Sequence, residues 1–294
     1  MNIGVLTRSV DGWASTRLIK AIKSLGHEPF PFKFNQILIH ISNGVERIFV
    51  DEYDLASFLD AVIVRPIGRS SLDQAIFRLA LLYSLEDLGV KVVNPPECIE
   101  KAVDKYRTLH ILMRSGFQVP DTLISENSLL MLRNLDKLGN EIVIKPIFGS
   151  RGLGSTKLND RDIIWRVARS LSYFRNILYF QRFIYHGGKD IRAFVVGDRV
   201  IAAMYRVNPR SWKTNVARGA RPEPLKPSEE LSELAVKAAK LLGCEYAGVD
   251  FIEAKNGYIL LEVNSQPTWK GLQIVTKVNI AKEIVKHVIS LVKK

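Results

Sequence analysis

Cysteine is scarce in this chain: Cys98 and Cys244 are the only two in 294 residues. Two thiols rule out a disulfide framework and a Cys-rich zinc site, and they fit a reducing cytoplasm. The five histidines are scattered with no H-x-x-x-H pair, so a His-based zinc centre is not expected. Long apolar runs are missing too. No stretch approaches the roughly 20 uncharged apolar residues of a membrane span. Met1 runs straight into Ile3-Gly4-Val5-Leu6 without a basic segment and a long apolar stretch behind it, so no signal peptide is expected. Internal repeats and low-complexity tracts are absent. No Ser–His–Asp or Cys–His arrangement is evident, so no covalent enzyme nucleophile is expected.

What is there is globular: 47% hydrophobic and 24% charged residues. A chain this long suggests two domains, or three small ones. Lys+Arg is 42 against Asp+Glu 30, a net charge of +12. A basic surface attracts polyanions, nucleic acid first among them. Here the basic residues are spread along the chain, and no helix-turn-helix, zinc-finger or RNP signature accompanies them. Small anionic ligands, nucleotides and carboxylates, are the better match. Neither a nucleic-acid nor a membrane partner is expected.

The N-terminal third alternates strands and helices, which predicts a mostly parallel, doubly wound sheet. Strands are expected at residues 2–6, 29–34, 61–64 and 91–93, with helices at 16–25 and 72–88. Asn94-Pro95-Pro96 closes this part. One helix is predicted over 99–115, a strand over 141–145, a helix over 160–172 and a strand over 177–183. Strands at 191–196 and 200–207, a helix over 228–242, a hairpin over 247–263 and a helix over 280–293 complete the chain.

Two features carry chemistry. In the hairpin, a three-residue turn Lys255-Asn256-Gly257 would set Asp250 opposite Glu262. Asp250, Glu262 and Asn264 would then share one face, with Val249, Phe251, Leu261 and Val263 on the apolar one. Two carboxylates and an amide suit Mg²⁺ or Mn²⁺, nucleotide phosphates completing the shell. The bland alternative is a solvated hairpin face. The second feature is Lys145 at a strand end, followed by a loop with Gly149, Gly152 and Gly154. Glycines let backbone N–H groups approach phosphate oxygens, and lysine adds a point charge. The loop is not a Walker loop, since G-x-x-x-x-G-K-[ST] is absent; its bland alternative is a mobile hairpin tip.

From Cys98 onward the chain resembles the RimK-like branch of the ATP-grasp ligases, a family of α-L-glutamate ligases. The ordered set is Ala102 to Thr108, Lys145-Pro146 with Gly149-Ser150-Arg151-Gly152, Gln181-Arg182-Phe183-Ile184, Asp190-Ile191-Arg192, Asn215 to Gly219, Asp250, and Glu262-Val263-Asn264. It spans about two thirds of the chain, in the family's order. The N-terminal third resembles the domain that precedes the grasp. The resemblance implies a mixed α/β and α+β protein: a doubly wound domain over 1–97, a central lid over 98–185 and a C-terminal subdomain with a metal site over 186–294.

It also implies roles. Lys105 and Lys145 would contact ATP phosphates beneath a loop containing Gly149, Ser150 and Gly152. Gln181, Arg182, Phe183 and Ile184 would offer backbone to adenine; where the family often has Glu after the Gln, this chain has Arg182. Asp190 would accept from the ribose, and Lys213 and Asn215 would reach the nucleotide from the other side. Asp250, Glu262 and Asn264 would hold two Mg²⁺ or Mn²⁺ ions. Arg192 and Arg218 would face the reacting carboxylate, the acyl phosphate or the incoming glutamate. Trp269 could be loop packing or could flank an acceptor ring.

Several stretches, among them Asp190 to Val196 and Glu262 to Trp269, resemble the archaeal branch that adds L-glutamate to tetrahydromethanopterin. The implied reaction converts an acceptor carboxylate to an acyl phosphate, which the α-amino group of glutamate then attacks. A deazaflavin coenzyme, a carrier protein with an acidic C-terminus and a ribosomal protein tail are the competing acceptors. Carrier-protein ligases have Trp after the Gly-Ser of the loop, where this chain has Arg151. The resemblance further implies a homo-oligomer. A basic nucleic-acid-binding protein is the non-enzyme alternative; it predicts salt-sensitive DNA or RNA binding and no Mg²⁺-dependent ADP formation.

Overall fold

The computed structural model describes residues 1–68, 70–149 and 152–293. Strand β1 (Asn2–Leu6), helix α1 (Trp13–Ser24) and strand β2 (Glu28–Phe32) open the chain. An antiparallel meander follows, β3 (Ile37–Ser42), β4 (Val45–Val50) and β5 (Tyr53–Asp54), which the periodicity does not separate. Then come α2 (Leu55–Phe58), β6 (Ala61–Val64), α3 (Leu72–Asp87) and β7 (Lys91–Val93). Strands β2, β1, β6 and β7 lie in that order, all parallel. Alternation along each strand feeds two cores. Ile3, Val5 and Ile63 join Leu18 and Ile22 of α1, while Leu6, Val62 and Val64 join Leu81, Leu82 and Leu85 of α3. The sheet is doubly wound, as its sequence predicts.

The single helix expected over 99–115 is two, α4 (Pro96–Val103) and α5 (Lys105–Arg114). Asp104 is extended, and its Oδ1 accepts from the N–H groups of Tyr106 (2.8 Å) and Arg107 (3.1 Å), capping α5. The break sets Lys105 at the first position of the new helix.

The central segment, expected as the lid, is an antiparallel sheet backed by two helices. It comprises β8 (Thr122–Ser125), α6 (Ser128–Arg133), β9 (Ile142–Lys145), β10 (Thr156–Leu158), α7 (Arg161–Tyr173) and β11 (Leu178–Arg182). Its strands run in the order β10-β9-β11-β8. Ile142, Ile144, Leu178 and Phe180 pack on Met131, Ile164 and Ala168 in a core of their own.

The C-terminal sheet has the order β14-β13-β12-β15-β16. Its strands are β12 (Lys189–Val196), β13 (Arg199–Val207), β14 (Arg221–Leu225), β15 (Tyr246–Ala254) and β16 (Gly257–Asn264), with α8 (Glu229–Leu241) preceding β15. Ile191, Ala193, Val249 and Phe251 face Leu231, Ala235 and Ala238 of α8. Helices α9 (Lys270–Val275) and α10 (Ile280–Val292) end the chain. Ile280, Ile284 and Val288 of α10 belong to the same core as α1 and β1, so the last helix completes the first sheet. Among the described residues, no helix is long and apolar enough to cross a membrane.

Candidate active site

The hairpin of β15 and β16 reaches the expected pairing by another route. Its turn is two residues, since Ala254 pairs with Gly257, and a bulge between Asp250 and Phe251 restores Asp250 opposite Glu262. The bulge leaves Leu261 unpaired. Leu260, not Leu261, therefore fills the core beside Val249 and Val263, and Leu261 lines the cleft.

Cross-strand register builds the charged face. Asp190 pairs with Arg206 between β12 and β13, and Arg192 pairs with Asp250 between β12 and β15. Arg206 donates to Asp190 Oδ1 at 2.7 Å and Oδ2 at 2.5 Å, and its Nη2 lies 3.1 Å from Asp250 Oδ2. Arg192 donates to both oxygens of Asp250, the Nη2 contact at 2.7 Å. Thr214 Oγ1 donates to Asp190 Oδ2 at 2.6 Å. Asp190, Arg206 and Asp250 are all buried. Burial pushes the Asp250 carboxyl up, but Arg192 and Arg206 outweigh it and hold the group below the usual carboxylate range. Burial likewise opposes the charge on Arg206, yet Asp250 and Asp190 raise its pKa above the ordinary guanidinium value.

Lys145 ends β9 and points across the cleft. Its Nζ donates to Gln181 Oε1 at 2.6 Å, and Gln181 is held in turn by Thr122 Oγ1 at 2.9 Å. Burial pushes the Lys145 ammonium down to about 8, with Glu262 opposing and Lys105 reinforcing. Lys105 is lowered as well, by burial, against Glu262 and Asp104. Its Nζ donates to the Gly149 carbonyl at 3.0 Å, tying α5 to the glycine loop. Gly152 has φ +64°, and a Cβ there would stand 2.5 Å from Asn215 Oδ1. The loop thus rests against the C-terminal segment, where only glycine fits. Ser150 and Arg151 lie outside the described residues.

These elements enclose a cleft of about 1210 Å³, open solvent included. Lys105, Lys145, Gly149, Gly152, Gln181, Phe183, Asp190, Lys213, Asn215, Asp250 and Glu262 line it. Arg182 borders it too, with its guanidinium turned to Asp121 at 2.8 Å and to the Lys137 carbonyl at 3.2 Å. Burial and the neighbouring Arg218 depress the Lys213 ammonium. Three expected residues do not line the cleft. Arg192 lies against Asp250, Asn264 donates to the Gly248 carbonyl at 3.4 Å, and Arg218 is exposed. Among the described residues, no three His, Cys, Asp or Glu side chains cluster as a metal site. Trp269 is core: 1% exposed, edge-on to Trp13, and under the Arg65 guanidinium at 4.8 Å, it has no face free for an acceptor ring.

Sequence reasoning missed Arg206 and Thr214, and His186, which also lines the cleft. Arg206 was findable only by placing it opposite Asp190, and a bulge between Phe194 and Val195 hides that register.

A glycine loop and a lysine-bearing sheet closing on a second sheet with paired carboxylates define an ATP-grasp enzyme. The RimK-like ATP-grasp domain family matches residues 102–288, and the RimK PreATP-grasp domain family matches residues 1–99. The chain belongs to the RimK-like ATP-grasp family and is a ligase that forms an amide bond. It is 33% identical to the tetrahydromethanopterin:alpha-L-glutamate ligase of Methanosarcina acetivorans, with 97% of this chain and 98% of that protein covered. It is 32% identical to the alpha-aminoadipate--LysW ligase LysX of Sulfurisphaera tokodaii, with 96% of each covered. The fold matches ATP-grasp ligase PsnB, solved with minimal precursor, Mg and ADP, at a TM-score of 0.75 and 24% identity, covering 99% of this chain and 98% of that one.

Proposed function

We propose that the protein joins the α-amino group of L-glutamate to a carboxylate of an acidic cofactor of the tetrahydromethanopterin type, through an acyl phosphate formed from ATP. The observation that carries the chemistry is the convergence of Lys105, Lys145, Asp250 and Glu262 on one cleft. The likeness to the Methanosarcina ligase over nearly the whole of both chains supports the acceptor class.

The residues fit a divalent cation with nucleotide phosphates. Glu262 faces the cleft with no hydrogen-bond or ion-pair partner among the described residues. Glu262 would hold Mg²⁺ or Mn²⁺ and Asn264, whose Nδ2 is given to the Gly248 carbonyl, would have to turn its Oδ1 into the cleft to join it; two such ions are part of this reading. Asp250 would join them on release of a guanidinium, since Arg192 and Arg206 occupy its oxygens. Bound there, the metal supplies charge stabilisation for the phosphoryl group. Lys105 and Lys145 bind phosphates, whose negative charge offsets the cost of burying two ammonium groups. The N–H groups of Arg182 and Phe183 are taken by the Asp121 and Glu141 carbonyls, which leaves Ile184 N–H and nearby carbonyls for an adenine edge. Asp190 would meet the ribose from its pairing with Arg206, and Lys213 and Asn215 would close on the nucleotide. Arg192, freed from Asp250, and Arg218 would steady the acyl phosphate and glutamate. The loop of Gly149, Ser150 and Gly152 excludes water that would hydrolyse the intermediate.

We further read the three segments 1–97, 98–185 and 186–294 as acceptor-facing domain, lid and metal-bearing subdomain, in a cytoplasmic enzyme. A homo-oligomer is supported by Leu72 and Ile76, exposed one turn apart on α3, and is checked by light scattering. A carrier-protein acceptor is the second reading, favoured by the 32% identity to LysX. The test is ADP release with Mg²⁺, ATP and L-glutamate against a reduced methanopterin, a deazaflavin coenzyme and a peptide with an acidic C-terminus. One glutamyl unit gained by the pterin supports the proposal. Transfer to the peptide supports the second reading, and ADP release with none of them overturns the acceptor assignment.

A further inference from the structure

The two cysteines are 146 residues apart in sequence, yet their Sγ atoms are 2.7 Å apart. Cys98 sits in the first turn of α4, where the chain leaves the N-terminal sheet. Cys244 follows α8, two residues before β15. Both are buried, 1% and 5% exposed, in the core that holds Leu112, Ala238, Ala239 and Leu242. Among the described residues, each sulfur has only the other as hydrogen-bond partner.

We propose that Cys98 and Cys244 are the site of an intramolecular disulfide that ties α4 to the α8–β15 turn. The oxidant is a low-molecular-weight disulfide such as oxidised glutathione. One cysteine thiolate attacks it, forming a mixed disulfide and releasing one small thiol; the second cysteine displaces the other. Two protein thiols lose two protons and two electrons, and the oxidant's S–S bond becomes two thiols. The bond to Cys244 and burial raise the Cys98 thiol far above the usual range, and the thiolate is the attacking form. Exchange therefore belongs to chains that are still folding or transiently open, and the closed bond is shielded from reductant. The segment between the two cysteines contains the whole lid, so the bond fastens the two ends of that segment. No cleft-lining residue is part of the link. This inference is independent of the acceptor and of the ligase reading.

The test refolds the full chain under oxidised and reduced glutathione, then unfolds it in iodoacetamide and weighs it. A disulfide gives unalkylated protein about 2 Da below the reduced mass. Cys98→Ser and Cys244→Ser each take up one alkyl group and show no such loss. Oxidised wild-type protein should melt ~5 °C or more above its reduced form, since the closed loop is long, and neither variant's melting should respond to the oxidant. Turnover should be the same in both states. Full alkylation of both thiols under the oxidising poise, or oxidation only as a cross-linked dimer, overturns the proposal. The mass measurement on wild-type protein decides the matter even where a serine variant fails to fold.

Discussion

Asp190 and Asp250 share one buried guanidinium, that of Arg206, which pairs with both carboxylates beneath the cleft. Arg206→Met would leave the buried Asp190 carboxylate without its guanidinium, while Asp250 keeps Arg192, and should cost ~3–5 kcal/mol in a denaturant melt. Asp250 titrates below its unfolded value. Its share of stability is thus present above about pH 4 and is lost as pH falls through the lower folded pKa. For Lys145 the pH dependence lies in phosphate binding. Its pKa is pushed down to about 8, so the ammonium is charged at neutral pH and lost as pH rises through that value. The KM for ATP should climb above about pH 8, and Lys145→Arg should flatten that rise. Glu262→Gln should cut kcat by ~100-fold or more, with circular dichroism unchanged, because it removes a cleft carboxylate that has no protein partner among the described residues. Lys145, Asp250 and Glu262 were legible from residue type and spacing. Arg206 was not, because it acts through a partner on another strand and is indistinguishable in sequence from a surface arginine.

At the scale of elements, the boundaries that went astray share a cause. Apolar spacing continues through Asp104, so periodicity gives one helix where an aspartate cap makes two. The cap is a local polar event that leaves the hydrophobic pattern intact. Asp104→Ala should lower stability by ~1 kcal/mol and raise the ATP KM several-fold by letting Lys105 drift, and Asp104→Ser should restore both. The hairpins fail similarly. Each has a two-residue turn and a bulge farther along, at Phe194–Val195 and at Asp250–Phe251. Counting back from the turn therefore misses β12–β13 by one residue. In β15–β16, the assumed longer turn and the actual bulge each shift the count by one, so the carboxylates face each other either way. The strands β5, β8 and β10 had too few residues for a period to register, the exposed apolar Leu38, Ile41 and Val45 blur the alternation of β3 and β4, and the prolines of β14 (Pro222 and Pro224) read as loop.

For the whole molecule, sequence pattern located the doubly wound sheet, the hairpin and the order of the parts, but not the contacts that fasten them together. Asn94 joins the first sheet to the β15–β16 hairpin. Its Nδ2 donates to the carbonyls of Tyr246 (2.8 Å) and Ser265, and its Oδ1 accepts from the N–H groups of Glu245 (2.7 Å) and Tyr246 (3.1 Å). Arg65 adds a bond to the Pro267 carbonyl at 3.0 Å. Asn94→Ala strands four buried backbone groups and should cost on the order of 3 kcal/mol, read as a lower melting midpoint. None of this is visible in a linear pattern, since each partner lies more than 150 residues away.

The placement of α10 also bears on how the protein is made. During translation the first sheet and α1 emerge from the ribosome early, but α10, which shares with α1 the covering of one face, follows about 190 residues after β7. At about 5–20 residues per second the nascent chain carries part of that apolar face open for roughly ten seconds or more. A chain truncated before α10 should therefore expose the apolar residues that Ile280, Ile284 and Val288 cover and should aggregate on expression, which a solubility assay of the truncated chain checks.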